Sequence, residues 1–367
     1  MNNIQSIGVI TWHYYQNYGS MLQTFALVKA LRDLGYIVRV INYRNPKFGK
    51  VPFIKRLIYS VARLLPESFV RNQLPQLYFP SIRFRKYFNE TKEESLISKL
   101  EKQCSEFDAI ICGSDQIWAP NVFNPIYLLN FVPDKKRKIS YAASIGLNQI
   151  PSHLIPEYTK LLSRFYKISV RESSGSVLLL KNCNILSTVV LDPTLLIASE
   201  YWHKLSMIPK IDRPYIFCYI LKEDHGYKNA IIKYGERMGL PIYGISACKN
   251  DYSWMNQLSQ RGIGPKDFLG LIENAHTVIT DSYHGTIFSL LFHKRFISIQ
   301  RFSESETLCQ NSRIEQLKAY FPIESNVVEC SETTDLTYKD VDWNSFESKL
   351  TRLRANSINY LKESLKC

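Results

Sequence analysis

The sequence predicts an α/β protein of two domains, each built around a mostly parallel sheet. The chain has 367 residues, more than one hydrophobic core usually serves, so two domains are expected. Short apolar runs alternate with helical stretches along most of its length, as in parallel sheets that helices cover on both faces. Such sheets bind ligands beyond the carboxyl ends of their strands, so two facing sheets would place the site in the cleft between the domains.

The first domain is predicted over 1–195 and begins with a βαβ unit. Residues 4–11 predict a buried strand, 20–34 an amphipathic helix that Gly35 ends, and 37–43 the next strand. Further strands of this domain are expected at 107–112, 138–143, 166–170 and 188–191.

The second domain, predicted over 196–342, repeats the alternation. Its helices are expected at 199–205, 227–238, 265–273 and 285–292, and its strands at 215–221, 241–245, 276–280 and 296–299. A charged amphipathic helix follows at 343–365, and the segment 343–367 is expected to pack back on the first domain.

Composition narrows the functional classes. The chain starts without a basic segment followed by a long apolar core, and no apolar run reaches the ~18 residues that span a membrane, so a cytoplasmic protein is expected. Its eight cysteines form no CxxC pair or Cys/His cluster and are interpreted as buried thiols. No metal site is predicted.

The net charge of +13 and pI of about 9.2 favour an acidic partner: nucleic acid, an anionic membrane surface or a phosphorylated small molecule. Between residues 47 and 86, nine Lys and Arg accompany one acid, with aromatic and aliphatic residues interleaved. That pattern is typical of a surface on anionic lipid, so peripheral membrane association is one hypothesis. A helical hairpin packed on the domain is the alternative. No helix-turn-helix, RNA-binding or zinc motif appears, so no nucleic-acid partner is expected.

The clearest sign of chemistry is VITDSYHGTIFSLLF at 278–292. An apolar strand runs through a short polar loop into an apolar helix, which places His284 between a strand's carboxyl end and a helix's amino end. The N–H groups and the dipole of a helix start suit an anion, and an imidazole beside a bound dianion can exchange protons near neutral pH. A histidine satisfied by local backbone bonds is the structural alternative.

Two further junctions are similar. In AIICGSDQIW (109–118), small residues after a strand let a ligand approach the backbone closely. In ISVRE (168–172), Arg171 ends another strand, and its guanidinium could grip a carboxylate or phosphate with two parallel bonds. Each junction alone could equally be a structural turn or a surface ion pair.

Seven motifs follow one another along the chain. They are NYGSMLQTFAL (17–27), GSDQIWAP (113–120), YAASIG (141–146), SVRE (169–172), LDPTLL (191–196), GPKDFLGLIENAHTVITDSYHGTIFSLLF (264–292) and NSRIEQL (311–317). In this order they resemble the polysaccharide pyruvyl transferase family. The resemblance spans most of the chain, and the 264–292 block together with GSDQIW is its most specific part.

The resemblance implies a GT-B-like fold, with two Rossmann-like doubly wound domains facing across a cleft. It also implies transfer of pyruvate from phosphoenolpyruvate to two hydroxyls of a sugar as a cyclic ketal, in capsule or exopolysaccharide biosynthesis. The acceptor would be a lipid-linked oligosaccharide or a nucleotide sugar. Such a reaction needs an acid/base group and positive clamps for carboxylate and phosphate, but no metal or redox cofactor.

The resemblance also assigns roles. His284 corresponds to the catalytic histidine, Arg171 to a donor-binding arginine, and Arg313 to a second anion contact. Some members carry an arginine where this chain has Ser282, so Arg313 or Arg301 would supply that charge here. Ser282 and Gly285 belong to the same donor group. The acceptor side would be lined by Asn17, Tyr18, Gly19, Ser20, Gly113, Ser114, Asp115 and Gln116, with a purely structural role as the alternative for the first four.

Other functions stay open at this point. A glycosyltransferase that uses a nucleotide sugar would suit the same two-domain cleft. A basic nucleic-acid-binding protein and a non-catalytic scaffold are alternatives of another class, although a scaffold would leave the polar loops after three strands without a purpose.

Overall fold

The described residues form two compact units: one holds a four-stranded and a two-stranded parallel sheet, and the other holds a six-stranded parallel sheet. A computed structural model describes residues 4–13, 17–45, 90–222, 227–246, 254–258, 262–302, 310–329 and 334–366, with isolated positions between 58 and 88. Unit 1 holds the elements up to Ile197 and the end of the last helix from Thr351, and unit 2 holds the elements from Ala198 to Leu350. Most of the basic segment 47–86 lies outside the described residues.

Unit 1 contains six strands and four α-helices among its described residues. The strands are β1 (Ser6–Ile10), β2 (Ile37–Val40), β3 (Ala109–Cys112), β4 (Arg137–Ser140), β5 (Ser169–Val170) and β6 (Thr188–Val189), and the helices are α1 (Tyr18–Asp33), α2 (Ile97–Cys104), α3 (Ile155–Leu162) and α4 (Ser173–Cys183).

Unit 2 has six strands and five helices in its described part, and a sixth helix is divided between the units. The strands are β7 (Ile216–Ile220), β8 (Ile242–Ser246), β9 (Asn256–Gln257), β10 (Thr277–Thr280), β11 (Arg295–Ile299) and β12 (Val327–Val328), and the helices are α5 (Ser199–Leu205), α6 (Tyr227–Met238), α7 (Pro265–Glu273), α8 (Tyr283–Leu291), α9 (Ser312–Tyr320) and the divided α10 (Trp343–Leu365).

The two larger sheets each reverse their strand order at one point. The unit 1 sheet has the order β2-β1-β3-β4, and the unit 2 sheet the order β12-β11-β10-β7-β8-β9. The strand pairs of both sheets are parallel. The order reverses between β1 and β3 in unit 1 and between β7 and β10 in unit 2. A crevice at the carboxyl ends of such neighbours is the usual ligand position in an open α/β sheet.

The central strands of both sheets are apolar because both faces are covered. Every residue of β3, β7 and β10 is buried, which explains continuous apolar runs without alternation. Trp118 is part of the unit 1 core, and its indole N–H donates to the Tyr127 carbonyl at 2.9 Å. Ile231 packs in a separate core of unit 2, between α6 and the sheet.

The predicted α/β class with parallel sheets is confirmed, and most expected elements occur within a few residues. One boundary differs at an important place. Helix α8 begins at Tyr283, not at Gly285, because the Ser282 side chain caps it by accepting from the Gly285 N–H. His284 therefore lies within the first helical turn.

Among the described residues, every helix is too short or too polar to cross a lipid bilayer. Four of the eight cysteines are in this part of the chain, at positions 104, 112, 183 and 218. All four are buried free thiols.

Candidate functional site

The two acceptor-side groups predicted from the sequence meet at the reversal point of unit 1. Asn17 caps α1, and its side-chain oxygen accepts from the Ser20 N–H at 3.1 Å. Ser20 Oγ donates to Asp115 Oδ2 at 2.5 Å, which joins the start of α1 to the loop after β3. Tyr18 and Gly19 are buried in the first turn of α1. The sequence prediction that these residues form one group agrees with this geometry, and their role in acceptor binding stays a prediction.

Two residues that the sequence analysis did not single out complete this cluster. Gln23 accepts from the Ser114 N–H with Oε1 at 3.1 Å and donates from Nε2 to the Ser20 carbonyl at 2.8 Å. Thr11, just beyond β1, donates to the Ser114 carbonyl at 2.8 Å. Gln23 lies one helical turn after Ser20, and this spacing is the sequence signal that could have placed Gln23 on the same face of α1 as Ser20.

Gly113 permits a close approach of two chain segments. A Cβ atom at this position would lie 2.0 Å from the Tyr141 carbonyl oxygen, and the φ of Gly113 is +122°. Both observations exclude any other residue. The loop that carries Ser114, Asp115 and Gln116 is therefore held against the residues after β4.

Arg171 lies at the end of β5 in unit 1, where two carboxylates surround its guanidinium. Nη1 donates to Asp192 Oδ2 at 2.8 Å and Nε donates to Glu172 Oε1 at 3.1 Å, and all three residues are 1% exposed. Asp192 also accepts from the Thr194 N–H and hydroxyl, at 3.0 and 2.7 Å. Arg171 thus organises buried acids of unit 1, and donor binding by this residue stays a prediction.

His284 lies in the first turn of α8, at the carboxyl edge of the unit 2 sheet. It is 6% exposed, and its ring packs edge-on against Tyr283 at 5.1 Å between centroids. Thr280, the last residue of β10, accepts from the Ser282 N–H at 3.0 Å and so fixes the residue that caps the helix. A Cβ atom on Gly285 would lie 2.6 Å from Thr280 Oγ1, so glycine allows α8 to start this close to the strand.

Asp281 connects the ends of three neighbouring strands. Its carboxylate accepts from the backbone N–H groups of Leu221 and Lys222, just after β7, at 2.7 and 2.8 Å. Arg301, just after β11, donates from Nη2 to the Asp281 carbonyl at 2.9 Å, and its Nε lies 3.4 Å from Oδ2. Lys222 Nζ donates to the Arg301 carbonyl at 2.9 Å. Lys222 and Asp281 were not predicted as site residues.

Burial of Asp281 has an electrostatic consequence. Removal from water raises the pKa of its carboxyl group above the ordinary value, while Arg301 and the two backbone N–H groups act in the opposite direction. The Asp281 carboxylate therefore depends on the two backbone N–H groups and on the Arg301 guanidinium to remain charged.

Arg313 adds a further cation near the start of α8. It lies in the first turn of α9 and is 9% exposed. Its guanidinium carbon is 5.8 Å from the centre of the Tyr283 ring, and Nη2 donates to Gln310 Oε1 at 3.2 Å. A cation at this distance from an aromatic ring is attracted by its π face.

The predicted donor residues are therefore divided. The structure places Arg171 in unit 1, and places Ser282, His284, Gly285, Arg301 and Arg313 in unit 2 at or beside the carboxyl edge of the sheet. In the described part of the chain, no three His, Cys, Asp or Glu side chains are grouped as metal ligands. The unit 2 edge combines an imidazole, a capped helix start and three cationic side chains, which together suit proton transfer to an anion.

A model of the polysaccharide pyruvyl transferase family matches residues 17–301. The chain belongs to this family. The match includes the α1 start, the loop after β3, Arg171 and the α8 start, so the family resemblance inferred from the motifs is confirmed. No curated protein sequence matches the chain.

Several solved structures are similar to this chain at low identity. UDP-GlcNAc 2-epimerase from Neisseria meningitidis, bound to UDP-GlcNAc, is 12% identical with a TM-score of 0.50, and the match covers 98% of this chain and 94% of that one. MurG from Acinetobacter baumannii is 11% identical with a TM-score of 0.38 and coverage of 97% and 95%. ADP-heptose LPS heptosyltransferase II from E. coli is 11% identical with a TM-score of 0.37 and coverage of 98% of each chain. The epimerase likeness supports the predicted GT-B-like fold class.

Proposed function

We propose that this member of the family transfers pyruvate from phosphoenolpyruvate to two hydroxyls of a sugar, with His284 as the acid/base group. One observation carries the proposal: the first turn of α8 holds His284 at the reversal point of the unit 2 sheet. Lys222 and Arg301 lie just beyond the ends of the strands at either side, and Arg313 lies against Tyr283. Phosphoenolpyruvate carries a carboxylate and a phosphate, which are the groups that such cations bind.

One acid/base group is sufficient for the proton transfers of the proposed reaction. Protonated His284 gives its proton to C3 of the enol, which becomes a methyl group, and C2 becomes an oxocarbenium-like electrophile. The first sugar hydroxyl forms a bond to C2 and its proton returns to His284. The C2–O bond to phosphate then breaks, the second hydroxyl closes the ketal, and its proton leaves with the phosphate. Positive side chains beside the phosphate stabilise the negative charge that develops on it.

The acceptor belongs to unit 1 in this proposal. Ser20, Asp115 and their neighbours gather hydroxyl, carboxylate and amide groups at the reversal point of that sheet, and these are the groups that bind sugar hydroxyls. We take the acceptor to be a lipid-linked oligosaccharide of capsule or exopolysaccharide biosynthesis. The net charge of +13 and the basic segment at 47–86 favour association with an anionic membrane surface. Co-sedimentation with anionic vesicles no greater than with neutral ones would remove the membrane part.

The decisive experiment is phosphoenolpyruvate-dependent phosphate release with galactose, mannose and glucuronate acceptors, and mass spectrometry of the product. The expected product has gained pyruvate less one water. His284→Ala should reduce turnover by at least ~100-fold, as loss of an acid/base group does. His276→Ala is the matched control, because His276 precedes the same strand, β10, at its other end.

Two outcomes would contradict the proposal. Near-normal phosphate release by His284→Ala would remove the imidazole from the mechanism. Transfer from UDP-sugars, with no phosphate release from phosphoenolpyruvate, would instead favour a nucleotide-sugar glycosyltransferase.

A further inference from the structure

Three charged residues follow the carboxyl ends of three adjacent strands of unit 2. β10 lies between β7 and β11. Asp281 directly follows β10, while Lys222 and Arg301 each lie two residues beyond the end of their strand. We call Lys222, Asp281 and Arg301 the strand-end clasp. It lies at the reversal point of the sheet, and Asp281 immediately precedes the residue that caps α8.

Asp281 is the centre of the clasp. Its side chain is fully buried, and its carboxylate fixes the backbone of Leu221 and Lys222 while it faces the Arg301 guanidinium. Arg301 also donates to the Asp281 carbonyl. The Arg301 guanidinium is therefore held in one orientation, because both the carboxylate and the carbonyl of Asp281 contact it.

Lys222 brings a second cation to the same place. Its ammonium donates to the Arg301 carbonyl and lies 4.6 Å from the centre of the Phe302 ring. The guanidinium carbon of Arg301 is 5.9 Å from that ring. The clasp thus places an ammonium and a guanidinium next to the amino end of α8, where the helix dipole is also positive.

We infer that the clasp is part of the donor site, with Lys222 and Arg301 as anion contacts and Asp281 as the residue that positions them. The ligand class is a small organic anion with a phosphate or carboxylate group, and phosphoenolpyruvate is its identity if the proposed function holds. Lys222 thereby provides positive charge just beyond the end of β7, the strand next to β10.

The Asp281→Asn variant separates positioning from simple charge. Asparagine keeps the size of the side chain but removes the negative charge, so charge alone predicts tighter anion binding. Positioning predicts the reverse, because Arg301 loses the partner that directs it. We expect the KM for phosphoenolpyruvate to rise at least tenfold while kcat changes less.

The rise in KM caused by Asp281→Asn should depend on the presence of Arg301. In a double-mutant cycle with Arg301→Met, Asp281→Asn should add little to the effect of the arginine variant, because residues that act through one another are not additive. Lys222→Met keeps the aliphatic chain over Phe302 and removes the charge, so it too should raise the KM at least tenfold. Lys294→Met is the matched control, since Lys294 precedes β11 at the opposite edge of the sheet.

A control variant distinguishes an effect on folding from an effect on anion binding. Asp267→Asn also changes a buried Asp of unit 2 that accepts a backbone N–H, from Gly264 at 2.9 Å at the start of α7. It should lower the thermal midpoint without the rise in KM. Calorimetric titration with phosphoenolpyruvate and with inorganic phosphate measures anion binding without turnover, so failure of the clasp is distinguishable from failure of the proposed reaction.

Weaker binding of either anion by Lys222→Met and Asp281→Asn supports the clasp, even if no pyruvate is transferred. Three results would overturn it: a wild-type protein that binds neither anion, variants whose anion affinity stays within twofold of wild type, or Asp281 and Arg301 effects that add in full.

Discussion

Replacing Gly285 with alanine tests whether the close contact between α8 and β10 holds the candidate catalytic histidine in place. Glycine is the third residue of α8 and directly follows His284. An added Cβ would lie 2.6 Å from Thr280 Oγ1 and 3.0 Å from its Cγ2. Thr280 cannot easily rotate away, because its hydroxyl donates to the Tyr219 carbonyl at 2.6 Å and accepts from the Ser282 N–H at 3.0 Å.

The size of the effect follows from these contacts. Overpacking in a tight interior costs about 1–3 kcal/mol, and each hydrogen bond lost if Thr280 turns costs about 1 kcal/mol more. Alanine gains about 1 kcal/mol over glycine in a helix. We therefore expect the free energy of unfolding to fall by about 1–3 kcal/mol. Turnover should fall at least ~10-fold, since a displacement of about 1 Å at a reacting group can cost ~100-fold.

Gly175→Ala provides the matched control. Gly175 is the third residue of α4, but the nearest atom to its added Cβ is Ile145 Cδ1 at 3.7 Å, an ordinary contact. That variant should gain about 0.5–1 kcal/mol. Urea unfolding and phosphoenolpyruvate-dependent phosphate release measure both variants. If Gly285→Ala resists urea as well as Gly175→Ala and keeps wild-type turnover, the contact does not constrain His284.

Two further predictions concern unit 1. Arg171→Leu should lower the free energy of unfolding by about 3–5 kcal/mol, because it removes the guanidinium that the buried carboxylates of Asp192 and Glu172 share; a loss below about 1 kcal/mol in urea unfolding would show that these acids do not depend on it. Asp108 accepts two backbone N–H groups at the start of β1, chiefly that of Ser6, and these bonds hold its pKa below the ordinary value of 3.8. The carboxylate therefore stabilises the fold above pH of about 4 and loses that effect as pH falls through the lowered pKa. The free energy of unfolding of Asp108→Asn should be about 1 kcal/mol lower than that of wild type at pH 7, and it should fall less than that of wild type on acidification. Parallel pH profiles of the two proteins would contradict this.

The fold could be predicted largely because its central strands are short, continuous apolar runs with clear ends. The bounds of α6 and α7 match the prediction, and α7 starts with Pro265 after Gly264, a strong start signal. Helix α4 was missed since its first turn, SSGS, consists of weak helix formers and is stabilised by packing of Leu179 and Cys183.

The candidate site was predictable only in part. His284 and Ser282 stand in one compact motif, so the sequence itself shows the strand, the loop and the helix. Lys222 has no such motif, because a single lysine after a strand is usually a solvated end. Its proximity to Arg301, 79 positions later in the chain, depends on the strand order β11-β10-β7, which local sequence patterns do not reveal.

The repeated reversal of strand order has a practical consequence for engineering. Each unit carries its own residues beyond the carboxyl ends of its own strands. Under the proposed function, variants in the segment after β3 would therefore change sugar recognition without replacing any residue near α8, and variants after β7, β10 and β11 would change donor recognition.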